Sequence, residues 1–152
     1  MSSEIKQDIS DSIEDIDELL ASYDILFKAT QHKEPDNIEL AALGTVLHSF
    51  YNGVEGIFLH VAKQIDGTTP NDFAWHQSLL KQVTESNDNR SSVISEQTAD
   101  ILAPYIKFRH FFRHAYAFIL DWKRMKPLAD GLNTVWTTVK NEIESFKSTI
   151  SI

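Results

Sequence analysis

Ile5, Ile9, Ile13, Ile16, Leu20, Tyr23 and Phe27 recur at steps of three and four, which predicts a helix from about Ser3 to Ala29. Its opposite face is nearly all carboxylate. "QHKEPDN" breaks the periodicity, and Asp36 with Glu39 three positions on forms a capping box for a second helix reaching about Ile65. Leu43, Leu47, Phe50, Val54, Ile57, Phe58 and Val61 form its apolar stripe. "DGTTPND" is a turn, and Thr69 followed by Pro70 is a good start for a shorter helix through Val83. The polar run "ESNDNRSS" is the clearest loop. Ser95 caps a fourth helix running to about Leu120, which Pro104 should bend by removing the hydrogen bond to the Asp100 carbonyl. A last helix is expected from about Pro127 to Ser148, with Leu128, Leu132, Val135, Trp136, Val139, Ile143 and Phe146 on one side. No strand is expected. The fold class is all-α: one domain over residues 1–152, an up-and-down bundle of four long helices plus a short one.

Composition narrows the setting. The chain has no cysteine, so disulfides and thiolate metal sites are excluded, as suits a reducing compartment. "MSSEIKQDISDSIEDIDELL" has neither the basic start nor the apolar core of a signal peptide, and no run of about 18 apolar residues occurs. A soluble, cytoplasmic protein without a membrane span is expected.

The formal net charge of -8 argues against general nucleic-acid binding, but the charge is unevenly distributed. Residues 1–24 carry eight acids against Lys6, whereas residues 105–126 carry six bases against Asp121. The acidic helix is read first as a solvated face, with shielding of the basic segment or orientation of a partner as alternatives.

The basic segment contains "FRHFFRHAYAF", Phe108 to Phe118. With Arg109 at 0° on a helical wheel, Tyr116 falls near -20°, Arg113 near 40°, His110 near 100° and His114 near 140°. Phe118, Phe111, Ala115, Phe108, Ile119 and Phe112 occupy the arc between roughly 180° and 300°, a core-facing stripe. Arg109 with Arg113, and His110 with His114, are like-charge pairs at i and i+4, which cost helix stability when charged and so point to a function or an acidic partner. His110 and His114 also have the spacing of a metal pair. No carboxylate accompanies them on that helix and the arginines would repel a cation, so no metal is expected. No serine sits in a sharp turn as a nucleophile, and no glycine-rich loop offers a phosphate cradle.

What remains is cationic stabilisation and proton transfer. A guanidinium fork suits phosphate oxygens and an imidazole titrates near neutrality, a combination that matches metal-free phosphodiester cleavage. In RNA the 2'-hydroxyl supplies the nucleophile, a histidine can move its proton and an arginine can hold the charge that builds on phosphorus. Spacing alone does not choose between Arg109 and Arg113. Because Arg109 and His114 are about 140° apart, two copies of the helix across a two-fold axis would converge on one cleft better than one helix does.

"RHFFRHAY" resembles the Arg, polar, three variable residues, His pattern of the HEPN superfamily and its extended Arg-x4-His-x-Tyr form in HepT toxins. "LHSFYNGVEGIF" and "RHAYAFILDWKRMKPL" also look HepT-like, so the resemblance covers about Leu40 to Leu128. It implies a homodimeric endoribonuclease toxin with Arg109 and His114 catalytic and His110 and Arg113 supporting. RNA is the implied substrate, and products ending in a 2',3'-cyclic phosphate would follow. The implied partner is a minimal nucleotidyltransferase antitoxin that, in some pairs, transfers adenylyl groups from ATP to the motif tyrosine, here Tyr116; the toxin itself needs no cofactor. On the wheel Tyr116 lies over Arg109 and Arg113, where added phosphate would occupy the arginines. Second-helix residues often approach the cleft in such proteins, and Asn52 and Glu55 are the candidates. A non-catalytic helical module that binds a nucleotidyltransferase or a nucleotide is the alternative, since fold alone does not fix function.

Overall fold

The isoleucine stripe does what its spacing predicts. In the computed structural model, which describes residues 2–116 and 119–151, Ile5, Ile9, Ile13, Ile16 and Leu20 of α1 (Ser2–Ser22) are all buried. The helix does not continue unbroken to Ala29. It stops at Tyr23, which is exposed, and resumes as α2 (Asp24–Thr30), in which Phe27 and Thr30 are buried. Thr30 secures the new turn by donating its hydroxyl to the Leu26 carbonyl at 3.0 Å.

α3 (Asn37–Val61) opens on the expected box. The Asp36 carboxylate accepts from the Glu39 amide at 2.8 Å, and the Glu39 carboxylate accepts from the Asp36 amide at 3.0 Å. α3 is the central helix, packing against α1, α5, α4 and α6, and its side chains from Leu43 to Val61 carry much of the core. Its last residues widen into a π-helical segment, Ala62–Asp66, closed by Gly67 at φ 72°, a backbone region that glycine enters without penalty. α1 approaches α3 at Gly53, where a Cβ would lie 2.8 Å from Cγ1 of Ile16.

α4 (Trp75–Thr84) starts five residues after the expected Pro70. The Asp72 carboxylate accepts from the Ser78 hydroxyl at 3.1 Å, so residues 68–74 fold as an irregular lead-in that leaves Phe73 fully exposed. The polar run after α4 is a loop, as read, but Arg90 within it is buried. Its guanidinium grips the Asp66 carboxylate through Nε at 2.7 Å and Nη2 at 2.9 Å and donates to the carbonyls of Gln82, Glu85 and Ser91. The loop is thereby tied to the end of the π segment.

α5 (Glu96–His114) begins at the predicted cap, with the Ser95 hydroxyl accepting from the Thr98 amide at 3.1 Å, and runs through Pro104. It ends at His114, six residues before the expected Leu120. Ala115 is extended at φ -108°, ψ 146°, Leu120 is buried near Gly44 of α3, and Asp121 caps α6 (Trp122–Ser148). A continuous helix could satisfy neither of those ends. α6 therefore starts five residues before Pro127, which sits exposed within it; Leu132, Trp136, Val139, Ile143 and Phe146 point into the core. The result is an all-α bundle of four long helices with two short ones among the described residues. No described helix is long and apolar enough to cross a membrane.

The acidic face of α1 is partly engaged. Asp17 accepts from Trp136 Nε1 and Lys140 Nζ, both at 2.7 Å, and Asp8 accepts from Gln64 at 2.8 Å. These bonds fasten α1 to α6 and to the end of α3.

Candidate functional site

On α3, His48, Tyr51, Asn52 and Glu55 fall at i, i+3, i+4 and i+7, so a polar strip runs down one face of an otherwise apolar helix. α5 crosses that strip and α4 flanks it. Arg109 of α5 is half-buried against it and donates from Nε to Asn52 Oδ1 at 2.5 Å, while its Nη1 lies 3.3 Å from His76 Nε2 of α4. Behind His76, Nδ1 meets Glu55 Oε2 at 2.7 Å.

The chemistry of the partners orients this network. A carboxylate only accepts, so His76 carries its proton on Nδ1, and its Nε2 lone pair accepts from Arg109. Asn52 presents its oxygen to Arg109, so its amide nitrogen, 3.3 Å from His48 Nδ1, donates there. Every donation thus runs outward from Arg109: through Asn52 to His48, and through His76 to Glu55. Such chains reinforce each bond by polarisation.

Burial accentuates the strip. Glu55 is 4% exposed and Tyr51 wholly buried. Burial, then the Glu55 carboxylate, pushes the Tyr51 phenol far above its ordinary range, with Arg109 opposing. His48 lies below its ordinary value, first because it is partly buried and then because Arg109 and Arg113 disfavour a further positive charge. Two buried polar atoms here have no hydrogen-bond partner among the described residues, His48 Nε2 and the Tyr51 hydroxyl.

His114 belongs to different surroundings. Its ring lies 4.8 Å from that of His110, and both line a cleft of about 940 Å³ between the second half of α5 and the start of α6. Phe111 and Ile119, two members of the expected core stripe, are exposed at 40% and 48% and line the same cleft. Phe108 is buried and Phe112 packs against His48 at 5.3 Å, so only part of the aromatic arc anchors α5. Phe118 lies outside the described residues.

Of the candidates from sequence, Arg109 and Asn52 touch, and Glu55 reaches Arg109 through His76. Arg113 is exposed one turn further along, close enough to depress His48. Tyr116 falls outside the helical wheel: α5 ends two residues before it, and it lies 74% exposed in the chain beyond the helix. His76 and His48 were not among the candidates. The signal for His48 was the i, i+3, i+4, i+7 polar strip, whereas His76 lies in a segment whose contact with α3 no local pattern announces.

The profile of HepT-like proteins matches residues 42–150. The chain belongs to the HepT-like family. No curated protein and no solved structure matches it. The matched span includes the α3 strip, His76, and the whole Arg-x4-His-x-Tyr stretch of Arg109, His114 and Tyr116 that suggested HepT from sequence, while α1 and α2 precede it.

Proposed function

We propose that this HepT-like chain is the toxin of a toxin–antitoxin pair: a metal-independent cytoplasmic endoribonuclease working as a homodimer. The observation that carries the reading is the placement of Arg109, half-buried, held by Asn52 at 2.5 Å and belonging to the family's Arg-x4-His-x-Tyr stretch. A guanidinium restrained at a protein surface is prepared for phosphate oxygens without further ordering cost.

In the proposed reaction the 2'-oxygen attacks the adjacent phosphorus and the P–O5' bond breaks. A proton leaves the 2'-hydroxyl to a histidine, and one is returned to the 5'-oxygen. Arg109 holds the non-bridging oxygens as charge accumulates, and His114 moves the proton. The products carry a 2',3'-cyclic phosphate and a 5'-hydroxyl. Support for a dimer comes from the cleft beside His114, with Phe111 and Ile119 left exposed along it, an apolar face that a second copy would cover. The exposure of Tyr116 suits its role as the acceptor of adenylyl groups that a nucleotidyltransferase antitoxin takes from ATP.

The test is cleavage of single-stranded RNA by purified protein in excess EDTA. Activity should be present and should be abolished in Arg109→Ala and His114→Ala. If both variants cleave like the parent, the proposal fails; if no condition yields cleavage while a nucleotidyltransferase still binds, the non-catalytic module is the better reading.

A further inference from the structure

Glu55 and His76 form a buried acid–imidazole pair that the cleavage scheme above does not use. The Glu55 side chain on α3 is 5% exposed, and the His76 side chain on α4 is 20% exposed. As a mere tie between helices this pair would be expensive, because a buried polar pair is often no better than well-packed apolar side chains. It is also more constrained than a tie needs. The His76 ring is stacked on Trp75, with centroids 3.7 Å apart and planes 30° from parallel, and held at Nδ1 by Glu55 at 2.7 Å. Its other nitrogen, Nε2, lies 3.3 Å from Arg109 Nη1.

We propose that His76, oriented by Glu55 and Trp75, is a positioning residue that aims the Arg109 guanidinium at the scissile phosphate; this rests on the ribonuclease reading. A guanidinium is planar, so two anchored nitrogens define its plane. Asn52 takes one N–H at Nε and His76 one at Nη1. The Nη2 group and the second Nη1 hydrogen are then directed together as the end-on fork that engages two phosphate oxygens. Glu55 matters because it keeps the Nδ1–H tautomer. With the proton on Nε2 instead, imidazole and guanidinium would present donors to each other and the fork would lose its anchor. In this scheme His76 does not touch RNA and transfers no proton.

The experiment compares His76→Ala with His76→Gln, whose amide oxygen can occupy the place of Nε2 as an acceptor but cannot titrate. Cleavage of RNA in EDTA is measured as kcat and KM alongside the Arg109→Ala variant, and the Arg109 Nε–H signal is followed by NMR without RNA. His76→Ala is expected to lower kcat by about 10²-fold, the scale of a catalytic group displaced by roughly 1 Å, with little change in KM. It should also broaden the Arg109 signal. His76→Gln should recover at least a third of the parental kcat and retain the signal. Equal losses in the two variants would overturn positioning in favour of proton transfer, and parental activity in both would overturn any role. Cleavage that survives in Arg109→Ala would instead remove Arg109 from the cleavage scheme on which this proposal rests, and the NMR signal would still report whether His76 holds the guanidinium.

Discussion

Arg109 and His114 leave α5 on different sides. They are five positions apart, about 140° around the helix, and the structure gives each its own surroundings. The guanidinium lies against Asn52 and His76, whereas the imidazole packs 4.8 Å from His110 beside the cleft toward α6. A reaction needing both groups at one phosphate therefore asks for a second copy of α5.

The electrostatic reach of Arg109 is measurable through His48. Burial, then Arg109 and Arg113, hold this imidazole below its ordinary value of 6.5. Because the folded value is depressed, the unfolded chain takes up the proton first. Stability from this group is intact above about 6.5, declines as pH falls below it, and levels off below the folded value. In Arg109→Ala the His48 titration followed by NMR should move up toward 6.5; an unchanged midpoint would show that the guanidinium does not act on it.

Tyr51 offers a test of the strip's polar accounting. Its hydroxyl is buried without a partner among the described residues. Removing an unsatisfied buried group relieves its desolvation penalty, so Tyr51→Phe should stabilise the fold by about 1 kcal/mol. Thermal unfolding should shift upward by roughly 2–4 °C. A fall of that size would mean that the hydroxyl has a partner worth keeping.

The Asp66–Arg90 pair should dominate the stability of the loop that follows α4. Both side chains are at most 5% exposed. Removing one partner of a buried pair typically costs about 3–5 kcal/mol, so Arg90→Ala should lower the unfolding temperature by on the order of 10 °C. Burial opposes ionisation of Asp66, but the hydrogen bonds from Arg90, Gln82 and Asn87 prevail and hold its carboxyl below the ordinary value of 3.8. That contribution is present above the unfolded value and lost as pH falls through the folded one. The stability gap between parent and Asp66→Asn, measured across pH, should therefore be constant near neutrality and narrow below about pH 4. A gap that stays constant to lower pH would contradict the assignment.

Local signals read well wherever local chemistry decides the structure. The isoleucines of α1, the Asp36–Glu39 box, the Ser95 cap and the apolar stripe of α6 were all legible because each depends on neighbours within a turn or two. The end of α5 was not, since the choice at Ala115 is made by Leu120 seating near Gly44 and Asp121 capping α6. That choice ends the helical wheel before Tyr116 and Ile119. Asn52 and Glu55 were candidates through resemblance alone; what joins them to Arg109 includes His76, which only the packing of α4 on α3 brings into place.

The shared site itself is tested by mixing two inactive variants. Arg109→Ala and His114→Ala, each purified and then allowed to exchange subunits, form hybrid dimers in which one Arg109–His114 pair across the interface lacks both groups and the other has both. With random exchange about half of the dimers are hybrids, so RNA cleavage in EDTA should return to about a quarter of the parental rate. A mixture that remains as inactive as its two components would contradict a cleft built from Arg109 of one copy and His114 of the other.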